Sequence, residues 1–161
     1  MRSLEPMRID EAIDAVVDRA KEILVDATQA NGLLAGATII RGDRAKASQS
    51  GSNTVWMVPD IATIDHTTQG LAELWNLDII LGAIVKNDNP EEGFLEATRL
   101  AAKAQQSLLG RDRRWGLPFV EHVTATRFDP SSPRNSNAKR SLFWADSVIT
   151  VRFRRLEKAN G

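Results

Sequence analysis

Three acidic residues and one histidine are the first candidates for chemistry in this sequence. Asp60 lies in one predicted strand, Asp65 and His66 follow in a predicted turn, and Asp78 lies in the next strand. If these strands pair as a hairpin, their carboxylates and imidazole come together, and such groups suit a divalent cation. The spacing matches no fixed metal-binding loop, and solvated turn residues explain the same pattern. We therefore expect no metal or other cofactor, and keep a small metal-dependent enzyme as an alternative.

Other catalytic arrangements have less support. The chain has no cysteine, which excludes thiol catalysis, disulfides and cysteine-based zinc sites. Glu121 precedes His122 in a predicted strand, where adjacent side chains point to opposite faces and do not cooperate, so a structural histidine is the simpler interpretation. The glycines match no nucleotide-binding loop. These observations predict a protein that is not an enzyme.

Basic residues are concentrated in the C-terminal part of the chain. They lie near Trp115 and Trp144, and arginine with tryptophan is typical of protein interfaces and of some nucleic-acid-binding surfaces. Nucleic-acid binders usually carry a surplus of positive charge, so the net charge of zero favours a protein interface. The basic interface candidates are Arg134, Lys139, Arg140, Arg152 and Arg154.

The net charge of zero hides a strong asymmetry along the chain. Residues 1–98 carry 8 Lys/Arg and 16 Asp/Glu, a net charge of −8, whereas residues 99–161 carry 13 and 5, a net charge of +8. The two parts either neutralise each other within one fold or attract another copy or partner. On the second interpretation, Arg152 and Arg154 meet acidic residues of the first predicted helix in a neighbouring copy, namely Asp14, Asp18, Glu22 and Asp26.

Length and composition fit one globular domain spanning residues 1–161. The chain is 42% hydrophobic and 26% charged, which is ordinary for a folded protein of this size. No apolar run approaches the length of a membrane span, and the N-terminal residues lack a signal-peptide core. We expect no association with membranes.

Two amphipathic helices are predicted from apolar residues that recur every three or four positions. The first spans residues 9–27, and the second spans roughly 91–109, with Pro90 in its first turn. Ala97, Ala101 and Ala104 lie on one stripe of the second helix and allow close approach to a sheet. Gly110 is expected to end that helix in a left-handed conformation.

Five strands are predicted, at residues 33–41, 54–64, 74–85, 119–128 and 147–155. Pro59 predicts an edge or a bend in the second strand, and Asp65–Gly70 is predicted to be a turn. Residues 42–53 and 129–140 are predicted to be long loops. The order α-β-β-β-α-β-β indicates an α+β fold, with two helices packed on one side of a mostly antiparallel sheet.

The order and character of these segments resemble one known group of proteins. After the first helix come VWMVPDIATID, the long strand LAELWNLDIILGAIVKND and the helix EEGFLEATRLAAKAQQSLLG, and the chain continues with FVEHVTATRFD and SVITVRFRRL. In these segments the chain resembles the tail terminator, or tail completion, proteins of long-tailed bacteriophages and the related neck proteins. The long loops at 42–53 and 129–140 depart from that pattern.

The resemblance implies a structural subunit of a virion. It implies a ring, usually a hexamer, on the end of the tail tube, with the tail tube protein and a head–tail connector or stopper as partners. DNA passes through such a ring, and the protein is assembled in the host cytoplasm. The family has no shared catalytic residues to transfer.

Alternatives from other classes remain open. One is a different phage role, such as a stopper, an adaptor or a tail-tube subunit. Another is a nucleic-acid-binding module that uses the C-terminal arginines, for which binding would weaken steeply with salt. The third is the metal-dependent enzyme built on Asp60, Asp65, His66 and Asp78. Fold does not fix function, so a fold alone does not choose among them.

Overall fold

The computed structural model describes residues 5–51, 53–68, 72–110 and 112–156, and at 66–68 it describes the backbone alone. The helices are α1 (Ile9–Asp26), α2 (Arg44–Ser48) and α3 (Pro90–Leu109), and a 3₁₀ turn spans Ala138–Arg140. The strands are β1 (Thr38–Arg41), β2 (Thr54–Thr68), β3 (Ala72–Lys86), β4 (Val120–Asp129), β5 (Ser136–Asn137) and β6 (Leu142–Arg155). The predicted α+β class is confirmed.

The strands form one mixed sheet in the order β1-β2-β3-β6-β4. All its neighbouring pairs are antiparallel except β1 with β2, which is parallel. The short β5 pairs antiparallel with the start of β6, beyond the end of β4. The central pair, β3 with β6, runs in unbroken register from Glu73↔Arg155 to Lys86↔Leu142. The last strand of the described chain is therefore an interior strand.

Both long helices pack on the same face of the sheet, as predicted. Val16, Val17, Ala20 and Leu24 of α1 are fully buried in the main core, as are Ala101 and Ala104 of α3. Ala97 is buried in a smaller cluster with Val85 and Phe143. From the sheet, the alternate residues of β3 and β6 supply the other half of that core, including Ile79, Ile149, Val151 and Phe153. Burial of this apolar surface is the main stabilising contribution to the fold.

Local signals start and end the helices. Asn89 caps α3, because its side chain accepts hydrogen bonds from the backbone N–H groups of Glu91 (3.0 Å) and Glu92 (3.4 Å). Gly110 follows α3 with φ −62°, so the predicted left-handed cap is wrong. Instead, the indole Nε1 of Trp115 donates to the carbonyl of Leu108 (2.8 Å) and satisfies one of the free carbonyls at that end.

The predicted loop at 42–53 is wrong in part, because it contains α2. Asp43 caps this helix by accepting from the backbone N–H of Lys46 (3.0 Å), and Ala47 is fully buried. A five-residue helix has too few turns to show an apolar period in the sequence. The predicted loop at 129–140 likewise holds β5 and the 3₁₀ turn.

Three strand boundaries also differ from the prediction. β1 begins only at Thr38, because residues 33–36 form turns, and β6 begins at Leu142 rather than Ser147. β2 continues to Thr68, so most of the predicted turn at Asp65–Gly70 is strand; Gln69 and Gly70 lie outside the described residues. Pairing with β3 keeps this polar segment extended. Pro59 does mark an irregularity, since the β2–β3 register shifts between Pro59 and Ala62.

Candidate interaction surface

The face of the sheet opposite α1 and α3 is called the outer face here. Alternation along β6 places Trp144, Asp146, Thr150, Arg152 and Arg154 on it, because the residues between them are buried in the helix-side core. Of the described helices, only α2 contributes to the apolar cluster on this face. The outer face thus has an apolar end near α2 and a polar end near Arg152.

At the polar end, the predicted interface arginines are paired within the chain. Arg152 lies 3.0 Å from Asp65 of β2 and 3.7 Å from Glu121 of β4, and Arg154 also pairs with Glu121. These side chains remain substantially exposed, and exposed ion pairs contribute at most about 1 kcal/mol each. The pairs neutralise part of the positive charge of the C-terminal half.

Three of the four predicted acidic candidates on α1, Asp14, Asp18 and Glu22, also have partners in the same chain. Arg41 of β1 lies 2.8 Å from both Asp14 and Asp18, and Arg19 lies 2.9 Å from Glu22. The structure therefore does not bring the α1 carboxylates together with Arg152 or Arg154. A contact between these groups in neighbouring copies stays a prediction, and it would have to compete with the pairs within each chain.

Arg134, Lys139 and Arg140 are exposed between β4 and β6, and within the described chain none of them forms a salt bridge. Arg140 lies beside a cation that the sequence analysis missed, Arg44 of α2, and both line one cavity on the outer face. Only the fold brings them together, since 96 positions separate them in the sequence.

This cavity has a volume of about 470 Å³ and lies at the apolar end of the outer face. Its apolar lining comes from β2, β3 and β6, and includes Trp56, Val58, Ile80, Ile84, Leu142 and Trp144. The guanidinium of Arg44 lies 4.3 Å from the centre of the Trp144 ring, a cation–π contact. The acidic member of the lining, Asp43, is occupied as the cap of α2. An apolar floor with cations around it can receive an apolar side chain flanked by carboxylates.

Trp56 gives the cavity a polar group without a partner. The residue is 4% exposed, and its Nε1 has no hydrogen-bond acceptor. A buried donor without an acceptor is costly. This nitrogen is buried against Gly82 of the neighbouring strand.

Asp146 lies on β6 between the apolar and polar ends. One of its carboxylate oxygens is buried without a hydrogen bond, and Arg127 approaches the same oxygen at 3.9 Å. Burial and the neighbouring negative charge of Asp129 raise the pKa of Asp146, and the charges of Arg127 and, more weakly, Arg44 oppose that rise. The fold therefore disfavours the charged form of this carboxyl group.

A larger groove of about 700 Å³ lies between the C-terminal halves of α1 and α3. Trp115 and Arg19 line it, but the Trp115 indole donates to Leu108 and Arg19 Nε donates to the Trp115 carbonyl (2.8 Å). These donors are satisfied within the chain. The groove therefore gives less indication of a partner than the outer-face cavity does.

The residues of the metal hypothesis have other partners where the structure describes them. Asp65 pairs with Arg152, and Asp78 accepts a hydrogen bond from the Thr150 hydroxyl (2.7 Å). Asp60 is exposed, and the side chain of His66 lies outside the described part of the chain. No group of three or more histidine, aspartate or glutamate side chains converges within the described ranges. His122 is exposed on β4, beside the Glu121 that binds both arginines.

The chain matches no known family model and no curated protein sequence. Over the described ranges, none of the helices combines the length and the apolar character needed to cross a membrane.

Proposed function

We propose that this chain is a structural subunit of a bacteriophage virion, of the tail terminator or neck type. In this proposal it forms a ring, caps the tail tube and joins the tail to the head. Its partners are further copies of itself, the tail tube protein and a head–tail connector or stopper. It acts in the virion after assembly in the host cytoplasm, and DNA passes through the ring.

One observation carries the proposal beyond the resemblance of segment order. The outer face of the sheet presents an apolar cavity bordered by Arg44 and Arg140, whose charges no carboxylate within salt-bridge distance neutralises in the described chain. Such a surface is typical of a protein interface. A subunit whose sheet has different surfaces on its two sides can associate head to tail, as ring formation requires.

The charge asymmetry supports the proposal less directly than the sequence suggested. Part of the opposite charge is already neutralised by salt bridges within the chain, which involve Arg152, Arg154, Asp14 and Asp18. The charges still available for a partner are the cations beside the cavity and in the segment before β6. Arg44 and Arg140 are therefore better candidates for an interface than Arg152 and Arg154, because they form no salt bridge in the described chain.

Light scattering on the purified protein, at low and at high salt, tests this function. A mass equal to a fixed multiple of 17.8 kDa, with rings visible by electron microscopy, is the expected result. Dissociation at high salt would connect assembly to the exposed cations. A protein that remains monomeric at every concentration and salt tested would overturn the ring-forming role.

Two further measurements separate the alternatives in that case. Binding of a mixed-sequence DNA duplex that weakens steeply with salt would favour the nucleic-acid-binding module. Tight binding of Mn²⁺ that His66→Ala abolishes would favour the metal-dependent enzyme. Either result, together with a monomeric mass, would replace the structural role.

A further inference from the structure

We infer that the outer-face cavity is the receptor for α3 of a second copy of this chain. The inference rests on the proposed function, because it names the contact by which the subunits of the ring associate. The inserted group is the exposed Leu95, flanked by Glu91, Glu92 and Glu96. These four residues are called the α3 ridge.

The α3 ridge combines an exposed apolar side chain with negative charges, which complement the apolar lining and the arginines of the cavity. Leu95 lies in the second turn of α3 and is 48% exposed. Glu91, Glu92 and Glu96 are exposed around it, and none of them forms a salt bridge with a described residue. Residues three and four apart are neighbours on a helix surface, so the leucine and the carboxylates form one continuous strip.

The cavity has the matching features. Its floor is formed by Trp56, Val58 and Ile80, which would bury Leu95, and its volume of about 470 Å³ exceeds that of one leucine side chain. Arg44 and Arg140 lie where the glutamates of the ridge would arrive. Apolar contact and charge therefore favour the same occupant.

The placement of the two surfaces determines how the copies associate. α3 packs against β3 and β6 on the helix side of the sheet, whereas the cavity opens on the outer face. Each subunit thus offers a ridge on one side and a receptor on the other. Such a contact is heterologous, so it repeats from copy to copy and closes into a ring when the rotation between copies permits.

Two variants, each defective in one surface, test this contact. The receptor variant carries Arg44→Glu and Arg140→Glu, and the ridge variant carries Leu95→Ser, Glu92→Gln and Glu96→Gln. Each variant alone retains no complementary pair of surfaces, so each is expected to sediment as a monomer. Mixed in equal amounts, they retain one intact ridge and one intact receptor, and we expect dimers that grow no further.

Matched controls exclude a general effect of charge or of surface leucine. Lys21→Glu with Lys103→Glu makes the same change of charge on α1 and at a position of α3 two turns from Leu95, and Val25→Ser removes an exposed apolar side chain from α1. Both controls should assemble like the unchanged protein. Leu95→Ser alone should weaken association on the order of tenfold or more, because it removes the apolar part of the contact. Circular dichroism and thermal melting establish that every variant is folded.

The outcomes separate this inference from the proposed function. If the unchanged chain forms rings and both variants still do so, the ridge and receptor are not the contact, while the ring-forming role stands. If the variants are monomeric but their mixture gives no dimer, the inferred pairing is overturned. If the unchanged chain is itself monomeric, both the ring and this contact are wrong.

Discussion

Trp56 lies directly opposite Gly82 in the β2–β3 pair, and its indole covers the space that a side chain at position 82 would occupy. A Cβ atom at this position would lie 2.7 Å from the indole Nε1 and would overlap the six-membered ring. Glycine is therefore needed here because the tryptophan lies flat against the neighbouring strand, where it forms part of the cavity floor.

Gly82→Ala should destabilise the protein by roughly 1–3 kcal/mol, because the added methyl group overpacks this contact. Urea unfolding measures the change in free energy. Gly110→Ala is the matched control, since a Cβ there meets the carbonyl oxygens of Gln106 at 3.4 Å and Ser107 at 3.7 Å without overlap, and φ is −62°. The control should change stability by no more than about 0.5 kcal/mol. Equal stability of the two variants would contradict the position of Trp56.

Asp146→Asn should stabilise the protein at neutral pH. Burial raises the pKa of Asp146 in the folded state above its ordinary value of 3.8, so the folded state binds this proton more tightly than the unfolded state does. The contribution of Asp146 to stability is therefore greatest at low pH and is lost as the pH rises from that ordinary value through the raised one. Asparagine keeps the shape without the charge and should remove this part of the pH dependence.

Urea unfolding of the unchanged protein and of Asp146→Asn, measured from acidic to neutral pH, checks this prediction. Asp60→Asn provides the control, since Asp60 is exposed on β2. A stability difference between Asp146→Asn and the unchanged chain that is independent of pH would show that the carboxyl group is not held as described. The same would follow if the variant were less stable at neutral pH.

Asn89→Ala should cost about 1 kcal/mol, because it removes the side chain that caps α3. The backbone N–H groups of Glu91 and Glu92 would then lose their acceptor at the helix start. Asn89→Asp keeps an acceptor in the same place and favours the positive end of the helix dipole, so it should retain most of the stability. Thermal unfolding of the three proteins measures the effect, and equal melting temperatures for alanine and aspartate would argue against the cap.

Glu73→Ala should cost about 3 kcal/mol, because it leaves a buried cation without its partner. Arg155 Nη2 lies 2.6 Å from Glu73, and its Nη1 donates to the Met7 carbonyl (3.0 Å). The same carboxylate accepts from the Trp75 indole (2.8 Å). Adding Arg155→Met to Glu73→Ala should recover much of the loss, as measured by urea unfolding. A double variant less stable than Glu73→Ala would contradict this account.

The sequence alone predicts the elements whose pattern is long and periodic. The helices α1 and α3 are found close to their predicted bounds, and β3 (Ala72–Lys86) lies close to its predicted range of 74–85. Short elements escape prediction because they depend on their surroundings. α2 is held by a single cap and the burial of Ala47, and residues 65–68 stay extended through pairing with β3 rather than by their own preference.

The candidate surface was harder to predict than the fold. Counting charges identified Arg140 and its neighbours but also Arg152 and Arg154, whose partners Asp65 and Glu121 lie on other strands. The cavity itself depends on register, because Trp56, Trp144 and Arg44 meet only after β2, β3 and β6 have paired. A single sequence carries no such information about long-range pairing.

The interior position of β6 has a consequence for the nascent chain. β4 leaves the ribosome before β6, yet β6 is its only neighbour in the described sheet. One edge of β3 also stays unpaired until β6 is present. Until Leu142–Arg155 has been synthesised, the apolar edges of β3 and β4 are exposed to other chains. A chain truncated between Asp129 and Leu142 would therefore leave both strand edges unpaired and would be prone to aggregate.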